Sequence, residues 1–467
     1  MGAFGRPAPQ IASVCLSLVK LGRLVLAGLL ASCSGSSPPA TIVSPPESFA
    51  ELKQRIALIR DLPFKREVSL ANASPSPTAS SADRPLIEDY AAQSLSHLSR
   101  VYKRLGLLPE PTDFARALAD YSRLQRLYYY DLGRQAVVIA PDATKLARAV
   151  GGETNGRMAQ MPGVLSLTRA LQEQYFHWQE KLAVISLEDR KLAFRAVAAG
   201  DSLLVASAYL GEPRSTKTRD PARIMERWAT VLEKMSAHLP DLLRQKLIFP
   251  YREGSQFVQW AHAAKGWEGV NALYADPPLS SSQVIHPEKY YTKRENPVRI
   301  IPWGLTRQMK ETAVVDQTLG EHLIQVLLTS SVPRQQAAEI AAGFTGDQLS
   351  AYPHGEDLVT AWITGWKNEK EAQVFYRAYR ALLERHHRLR FVGSAGRGDR
   401  LQAGRSDGPS MLLQTRGTFV LLLDGLAAAQ ALPLADEIWT NLDAETESIV
   451  IPFESAKRAA QLSWTSR

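Results

Sequence analysis

Glu173 and His177 are the residues of this sequence whose types and spacing first suggest metal chemistry. Positions i and i+4 of an α-helix lie on one face, so a carboxylate and an imidazole at this spacing can reach the same ion. The preceding residues, VLSLTRALQEQYF, predict one helix, and Asp201 is the nearest candidate for a third ligand. A Glu and a His on an exposed face are usually solvated, so a metal site and an ordinary surface pair both remain open.

Other catalytic arrangements have little support. The chain contains no G-x-S-x-G motif and no Ser/His/Asp or Cys/His pattern that predicts a nucleophile. Residues 393–408 are rich in glycine and basic but lack G-x-x-x-x-G-K-[ST], which favours a flexible hairpin loop over a phosphate site. His386 and His387 end a predicted helix, where an imidazolium interacts favourably with the negative pole of the helix dipole.

The first 32 residues have the pattern of a signal peptide. They contain Arg6, Lys20 and Arg23, no acidic residue, and the apolar run LVLAGLLAS directly before Cys33. Such a run is too short to cross a bilayer as a permanent helix. We therefore expect the segment to direct export and to be removed.

The segment Leu30-Ala31-Ser32-Cys33 resembles the lipobox of bacterial lipoproteins. The resemblance implies that the Cys33 thiol is acylated, for example with palmitate, and becomes the new N-terminus. Ser34 stands where lipoproteins of the inner membrane typically carry Asp, which implies an anchor in the outer membrane, facing the periplasm. A plain signal peptide with an incidental cysteine is the alternative. Because Cys15 is the only other cysteine, no disulfide is expected.

The rest of the chain predicts an α+β fold that is predominantly helical. We expect a Ser/Pro-rich tether over residues 33–48, a mainly helical domain over 49–328 with a disordered stretch at about 72–84, and a smaller α+β region over 329–467. Locally, the sequence predicts a hairpin over YYYDLGRQAVVIA, a helix over 369–386, and strands near 358–363, 388–392, 410–414 and 418–423.

The charge of the protein argues against nucleic acid as a partner. The formal net charge is +8, and loss of Arg6, Lys20 and Arg23 with the signal peptide lowers it to about +5. Basic residues do not form a stripe interleaved with aromatic residues, which is the usual sign of a nucleic-acid interface.

Several stretches together resemble a family of bacterial gluzincin-type metallopeptidase-like lipoproteins. They keep their order over roughly residues 50–380, and the block 249–291 is the most specific of them. The stretches are IRDLPFKREV, YYYDLGRQAVVI, LTRALQEQYF, AVAAGDSLLVASAY, FPYREGSQFVQWAHAAKGWEGVNALYADPPLSSSQVIHPEKYY, LGEHL and AAGFTGDQLSAY. The resemblance implies a zincin-like helical core.

The same resemblance implies that the active site is degenerate. Intact members carry H-E-L-x-H-A-L-Q-D-Q on one helix and E-G-D on a later one. By position, Leu165 and Arg169 stand in place of the two ligand histidines, Ser166 in place of the catalytic glutamate, and Ala199 in place of the ligand glutamate. No zinc or other cofactor is therefore expected at these positions, and the expected activity is binding or scaffolding, with a peptide or an envelope protein in the former cleft.

Two points stay open in the sequence. An active metalloprotease or hydrolase with a relocated site at Glu173, His177 and Asp201 is the alternative function. Arg169 could pair with Asp201 as a remnant of the second shell, or with Glu173 on the helix surface. We also expect the helices that carry Arg169 and Ala199 to pack side by side, and the block 249–291 to act as a structural clamp over the helical core.

Overall fold

The computed structural model describes residues 48–72, 92–140, 158–211, 221–309, 311–394, 397–405 and 408–447. The fold is α+β and predominantly helical, as the sequence predicts. The expected signal peptide, Cys33, nearly all of the expected tether, and most of the expected disordered stretch at 72–84 lie outside the described residues.

The helices and strands are numbered here in chain order. The helices are α1 Phe49–Arg60, α2 Ala92–Leu105, α3 Phe114–Gln125, α4 Met161–Phe176, α5 Trp178–Val184, α6 Glu188–Gly211, α7 Pro221–Met235, α8 Asp241–Ala275, α9 Ser281–Ile285, α10 Glu288–Tyr291, α11 Trp303–Gln308, α12 Gly320–Leu328, α13 Arg334–Ala341, α14 Glu369–His387 and α15 Ala428–Thr440. The strands are β1 Ser69–Asn72, β2 Tyr128–Asp131, β3 Ala136–Ile139, β4 Val298–Pro302, β5 Val315–Gln317, β6 Phe344–His354, β7 Asp357–Trp366, β8 Val392–Ser394, β9 Arg397–Arg405, β10 Gly408–Arg416, β11 Phe419–Leu426 and β12 Leu442–Thr446.

Helix α6 lies at the centre of the helical part and packs against α1, α4 and α8. It is long and apolar enough to span a membrane, but most of it is buried inside the protein, as expected of a core helix. The closest approach is to α8, where a Cβ added at Gly200 would lie 2.2 Å from the carbonyl oxygen of Gly254. A Cβ added at Gly254 would lie 2.2 Å from the carbonyl oxygen of Ala196. Only glycine permits this contact between the two backbones.

A seven-stranded sheet forms most of the C-terminal part, with the order β5-β6-β7-β11-β10-β9-β8 and antiparallel pairing throughout. Successive side chains of a strand point to opposite faces. Val420 and Leu422 therefore join the core formed with α2, α3 and α14, whereas Leu421 and Leu423 join the core formed with α15. Because both faces are covered, β11 reads in the sequence as one apolar run.

Residues 46–467 form one compact unit. The expected boundary at residue 328 therefore marks only a change in the type of element. Strand β5 precedes the boundary but pairs with β6 of the sheet. Residues of α2 and α3 pack into the same core as α14. Two smaller sheets complete the fold, β1-β3-β2 and β12-β4.

Local predictions from the sequence have mixed outcomes. The hairpin is confirmed as β2 and β3, the helix at 369–386 as α14, and three of the four strands as β7, β10 and β11. The strand near 388–392 is wrong, since Arg388 ends α14 in the left-handed region and β8 begins at Val392. The flexible loop at 393–408 is also wrong for its described residues, which lie mostly in strand β9.

The glycine contact between α6 and α8 predicts the sign of the change in stability when Gly254 is replaced by alanine. Alanine normally stabilises a helix relative to glycine by up to about 1 kcal/mol. At Gly254 we expect the opposite, with Gly254→Ala lowering the free energy of unfolding by about 1–3 kcal/mol because the methyl group overlaps the backbone of α6. Denaturant unfolding measures the difference.

Gly211→Ala is the matched control, since a Cβ there meets no atom of the described residues within 4 Å. We expect it to be neutral or slightly stabilising. Equal effects of the two substitutions would contradict the close packing of α6 on α8.

Candidate functional site

Helices α4 and α6 pack side by side and are joined by a buried amide. The Nε2 atom of Gln172 donates to the carbonyl oxygen of Ala198 at 3.0 Å and to the hydroxyl of Ser202 at 3.1 Å. Gln172 is 1% exposed, so these bonds fix the register between the helices. The expected packing of these two helices is present in the structure.

The four positions that the resemblance assigns to a zinc site lie around one cavity of about 80 Å³. Leu165, Ser166 and Arg169 of α4 line it from one side, and Ala199 of α6 lines it from another. Their spacing explains this arrangement, because positions i, i+1 and i+4 of α4 face the helix that carries Ala199. Leu165 and Ala199 are buried and apolar, and the Arg169 side chain is a donor that cannot ligate a cation.

Arg169 has neither of the partners that the sequence suggested. Its Nη2 atom donates to the hydroxyl of Tyr251 at 2.6 Å, and the guanidinium carbon lies 5.8 Å from the centre of the same ring. The predicted pairs with Asp201 and with Glu173 are therefore wrong. Asp201 is already paired with Arg60 of α1. Glu173 accepts a hydrogen bond from the backbone N–H of Gln179 in α5 instead.

Asp201 forms a buried ion pair with Arg60 of α1. Its Oδ1 atom lies 2.9 Å from Arg60 Nε, and its Oδ2 atom accepts a hydrogen bond of 2.8 Å from the Tyr274 hydroxyl. Asp201 is fully buried and Arg60 is 1% exposed. The guanidinium also donates to Asn271 at 2.6 Å and lies 4.5 Å from the Trp267 ring. Asp201 therefore joins α1, α6 and α8, although it is 141 residues from Arg60 in the chain.

Glu173 meets His177 as the sequence suggested, but Glu180 replaces Asp201 as the third residue. One possible ligand atom from each lies within 4.8 Å of the others, and no comparable group occurs elsewhere in the described part of the chain. Burial raises the pKa of Glu173 to about 7, and its Oε2 atom accepts a hydrogen bond from Gln179 N at 2.8 Å. None of these three residues lines the cavity.

The block 249–291 contributes a polar network that ties it to α12. His286 Nε2 lies 2.8 Å from Glu321 Oε1, and the Ser282 hydroxyl donates to Glu321 Oε2 at 2.7 Å. Lys289 Nζ donates to the Ser282 hydroxyl at 2.7 Å, and burial lowers the pKa of this lysine. These contacts join elements of the core, which is what a structural clamp requires.

His386 and His387 contact main-chain carbonyl groups at the end of α2. The Nε2 atom of His386 lies 3.0 Å from the oxygen of Lys103, and that of His387 lies 2.8 Å from the oxygen of Arg104. Neither contact requires a metal ion.

Comparison with known proteins gives one partial match. A family described as Domain of unknown function (DUF8575) matches residues 307–434, the region that contains the strands of the large sheet from β5 to β11. No curated protein and no solved structure matches the chain.

The ion pair of Arg60 and Asp201 predicts a large loss of stability when it is broken. Arg60→Met should lower the free energy of unfolding by about 3–5 kcal/mol, because the carboxylate then stays buried without its counter-charge. The double variant Arg60→Met/Asp201→Asn should be less destabilised than Arg60→Met alone, since the buried charge is gone while the amide oxygen can still accept from Tyr274. Denaturant unfolding of both variants measures this difference.

Arg252→Met is a matched control, because Arg252 pairs with Glu233 and both side chains are about a third exposed. An exposed pair contributes at most about 1 kcal/mol. A cost for Arg60→Met as small as that of the control would show that the buried pair does not stabilise the fold.

Proposed function

We propose that this protein is a lipoprotein of the bacterial envelope whose metallopeptidase-like domain binds or scaffolds instead of cleaving. The observation that supports the proposal best is the cavity. The four positions that the resemblance assigns to zinc chemistry lie around it, and they hold Leu165, Ser166, Arg169 and Ala199. A zinc site needs three ligands from histidine, cysteine or carboxylate side chains, and these four positions supply none.

The positive charge of the cavity supports the same proposal. Arg169, Arg195 and Lys246 line it, and no acidic residue does so among those that the structure describes. Glu188 lies 3.2 Å from Lys246 and 4.0 Å from Arg195 and offsets part of this charge. The guanidinium of Arg169 remains at the wall, where it repels a divalent cation and attracts an anion. The site therefore favours a negatively charged ligand, whereas a zinc peptidase would hold a cation.

The alternative function is a metalloprotease or hydrolase with a relocated metal. The proximity of Glu173, His177 and Glu180 is the observation that favours it. Two facts weigh against it. His177 and Glu180 are exposed, and exposed groups of this kind are common without a bound ion. An ion held there would also lie outside the wall of the cavity. We therefore retain binding or scaffolding as the proposed function.

Restoring the four lost groups tests whether the cleft of a metallopeptidase is still present. The quadruple variant Leu165→His/Ser166→Glu/Arg169→His/Ala199→Glu should bind one zinc ion, because it supplies three ligands and a general base. The unmodified protein and each single variant should bind none tightly. Equilibrium dialysis followed by elemental analysis measures the stoichiometry.

A triple variant that keeps Arg169 is the matched control, since it lacks one ligand and retains the repelling charge. Tight stoichiometric zinc in the unmodified protein would overturn the proposed function. A folded quadruple variant without zinc would show that the four positions do not have the geometry of a zinc site.

The lipid anchor can be tested at the cysteine. Cys33→Ala should abolish labelling with palmitate and release the protein from the membrane fraction, because the acyl chains supply the hydrophobic anchor. Cys15→Ala, at the only other cysteine, should leave labelling unchanged. Unlabelled wild-type protein in the soluble periplasmic fraction would contradict the proposed anchor.

A further inference from the structure

The three cations around the cavity differ in their acidic partners. Glu188 is the acidic partner of two of its three cations, and it lies 3.2 Å from Lys246 Nζ and 4.0 Å from Arg195 Nη1. Glu188, Lys246 and Arg195 are all more than nine-tenths buried. The third cation, Arg169, has no acidic side chain within 4 Å among the described residues and contacts only the hydroxyl and ring of Tyr251.

Two N–H donors at the cavity wall have no acceptor in the described structure. The Nε atom of Arg169 is buried and lacks a hydrogen-bond partner, and so does the indole Nε1 atom of Trp228. Trp228 is 3% exposed and packs edge-on against Tyr251, with ring centres 6.1 Å apart. Both donors therefore lie beside the same tyrosine. A buried donor without an acceptor is unfavourable, because it has lost its hydrogen bond to water.

The size of the cavity restricts what can satisfy these groups. About 80 Å³ is room for on the order of a few water molecules, or for a carboxylate with a short stem. Water can accept from the indole but cannot neutralise the guanidinium. Gln125, Tyr128, Arg169 and Tyr251 are partly exposed, so the remainder of a larger ligand can extend towards solvent past these residues.

We propose that the cavity binds a carboxylate, held by the guanidinium of Arg169 and the indole N–H of Trp228, with Arg195 and Lys246 adding positive charge. The planar guanidinium matches the two oxygen atoms of a carboxylate. This inference rests on the proposed function, because it names the ligand of the cleft that no longer holds zinc. The carboxylate can belong to a free small acid, to an acidic side chain or to the end of a peptide.

Calorimetric titration of the full-length protein tests the proposal and separates these sources. The probes are sodium acetate, the peptides acetyl-Ala-Glu-Ala-amide and acetyl-Ala-Gln-Ala-amide, and acetyl-Ala-Ala-Ala as acid and as amide. We expect saturable binding of at least one carboxylate probe and none of its uncharged counterpart. The indole N–H resonance of Trp228, assigned by its absence in Trp228→Phe, should shift during the same titration. Inorganic phosphate is the competing anion, and tighter binding of phosphate than of every carboxylate would overturn the proposal.

The variants locate the site. Arg169→Met should weaken carboxylate binding by more than about tenfold, since it removes a charged donor, and Trp228→Phe by about two- to tenfold. Trp228→Phe keeps an aromatic ring but removes the pyrrole ring with its N–H group, so it remains informative if Arg169→Met does not fold. The matched control is Arg380→Met, at a partly exposed arginine of α14 that pairs with Glu384, and it should bind like the wild type. Unchanged affinity in Trp228→Phe and in folded Arg169→Met would overturn the proposal.

The two proposals can fail separately. Zinc-free wild-type protein that binds no carboxylate would reject this inference and leave the proposed function in place. Stoichiometric zinc in the wild type would reject both.

Discussion

The contact between the backbones of α6 and α8 at Gly200 and Gly254 is the constraint on which the helical part depends. It brings α6 close enough to α8 for Asp201, the next residue, to share Tyr274 and Arg60 with that helix. The preceding residues of the same helix, Ala198 and Ala199, form part of the cavity wall. One helix crossing therefore sets the position of a buried ion pair and of the candidate site together.

This arrangement shows why a cavity can keep its shape when its chemistry changes. The amide of Gln172 joins α4 to α6 without involving any of the four positions assigned to zinc. Of these four, Leu165 belongs to the apolar core shared by the two helices. Gln174 has a similar role on the other side of α4, where its Oε1 atom accepts from the backbone N–H of Lys65 at 2.8 Å. On our proposal, residues of this kind preserve the cleft, while the positions that once bound zinc are free to carry a cation.

The sequence predicted best what depends on neighbouring residues. The hairpin follows from aromatic and β-branched residues around a turn. Strand β9 was missed because its glycines and charges read as a loop. Pairing on both sides, with β8 and β10, overrides that local preference.

The partners in the site could be predicted only in part. Spacing along one helix placed Glu173 near His177, because helical geometry fixes that distance. The expectation that Arg169 lies near Ala199 came from the resemblance, since the two residues are on different helices. The partner of Asp201 could not be read from spacing, since Arg60 lies on a separate helix near the start of the described chain. Glu173 and Gln174 looked like exposed polar residues, yet both are almost fully buried and hydrogen-bonded to other segments.

The packing of α2 beneath the large sheet also has a consequence for the order in which the protein can fold. Arg104 donates to Asp357, 253 residues further along the chain, and the carbonyl oxygen of Leu105 accepts from the Tyr379 hydroxyl across 274 residues. As the chain leaves the ribosome, the apolar face of α2 stays unpacked until these partners have been synthesised. Contacts so distant in sequence slow folding and leave hydrophobic surface exposed in the meantime. The half of the chain made first is thus the half that depends most on chaperones.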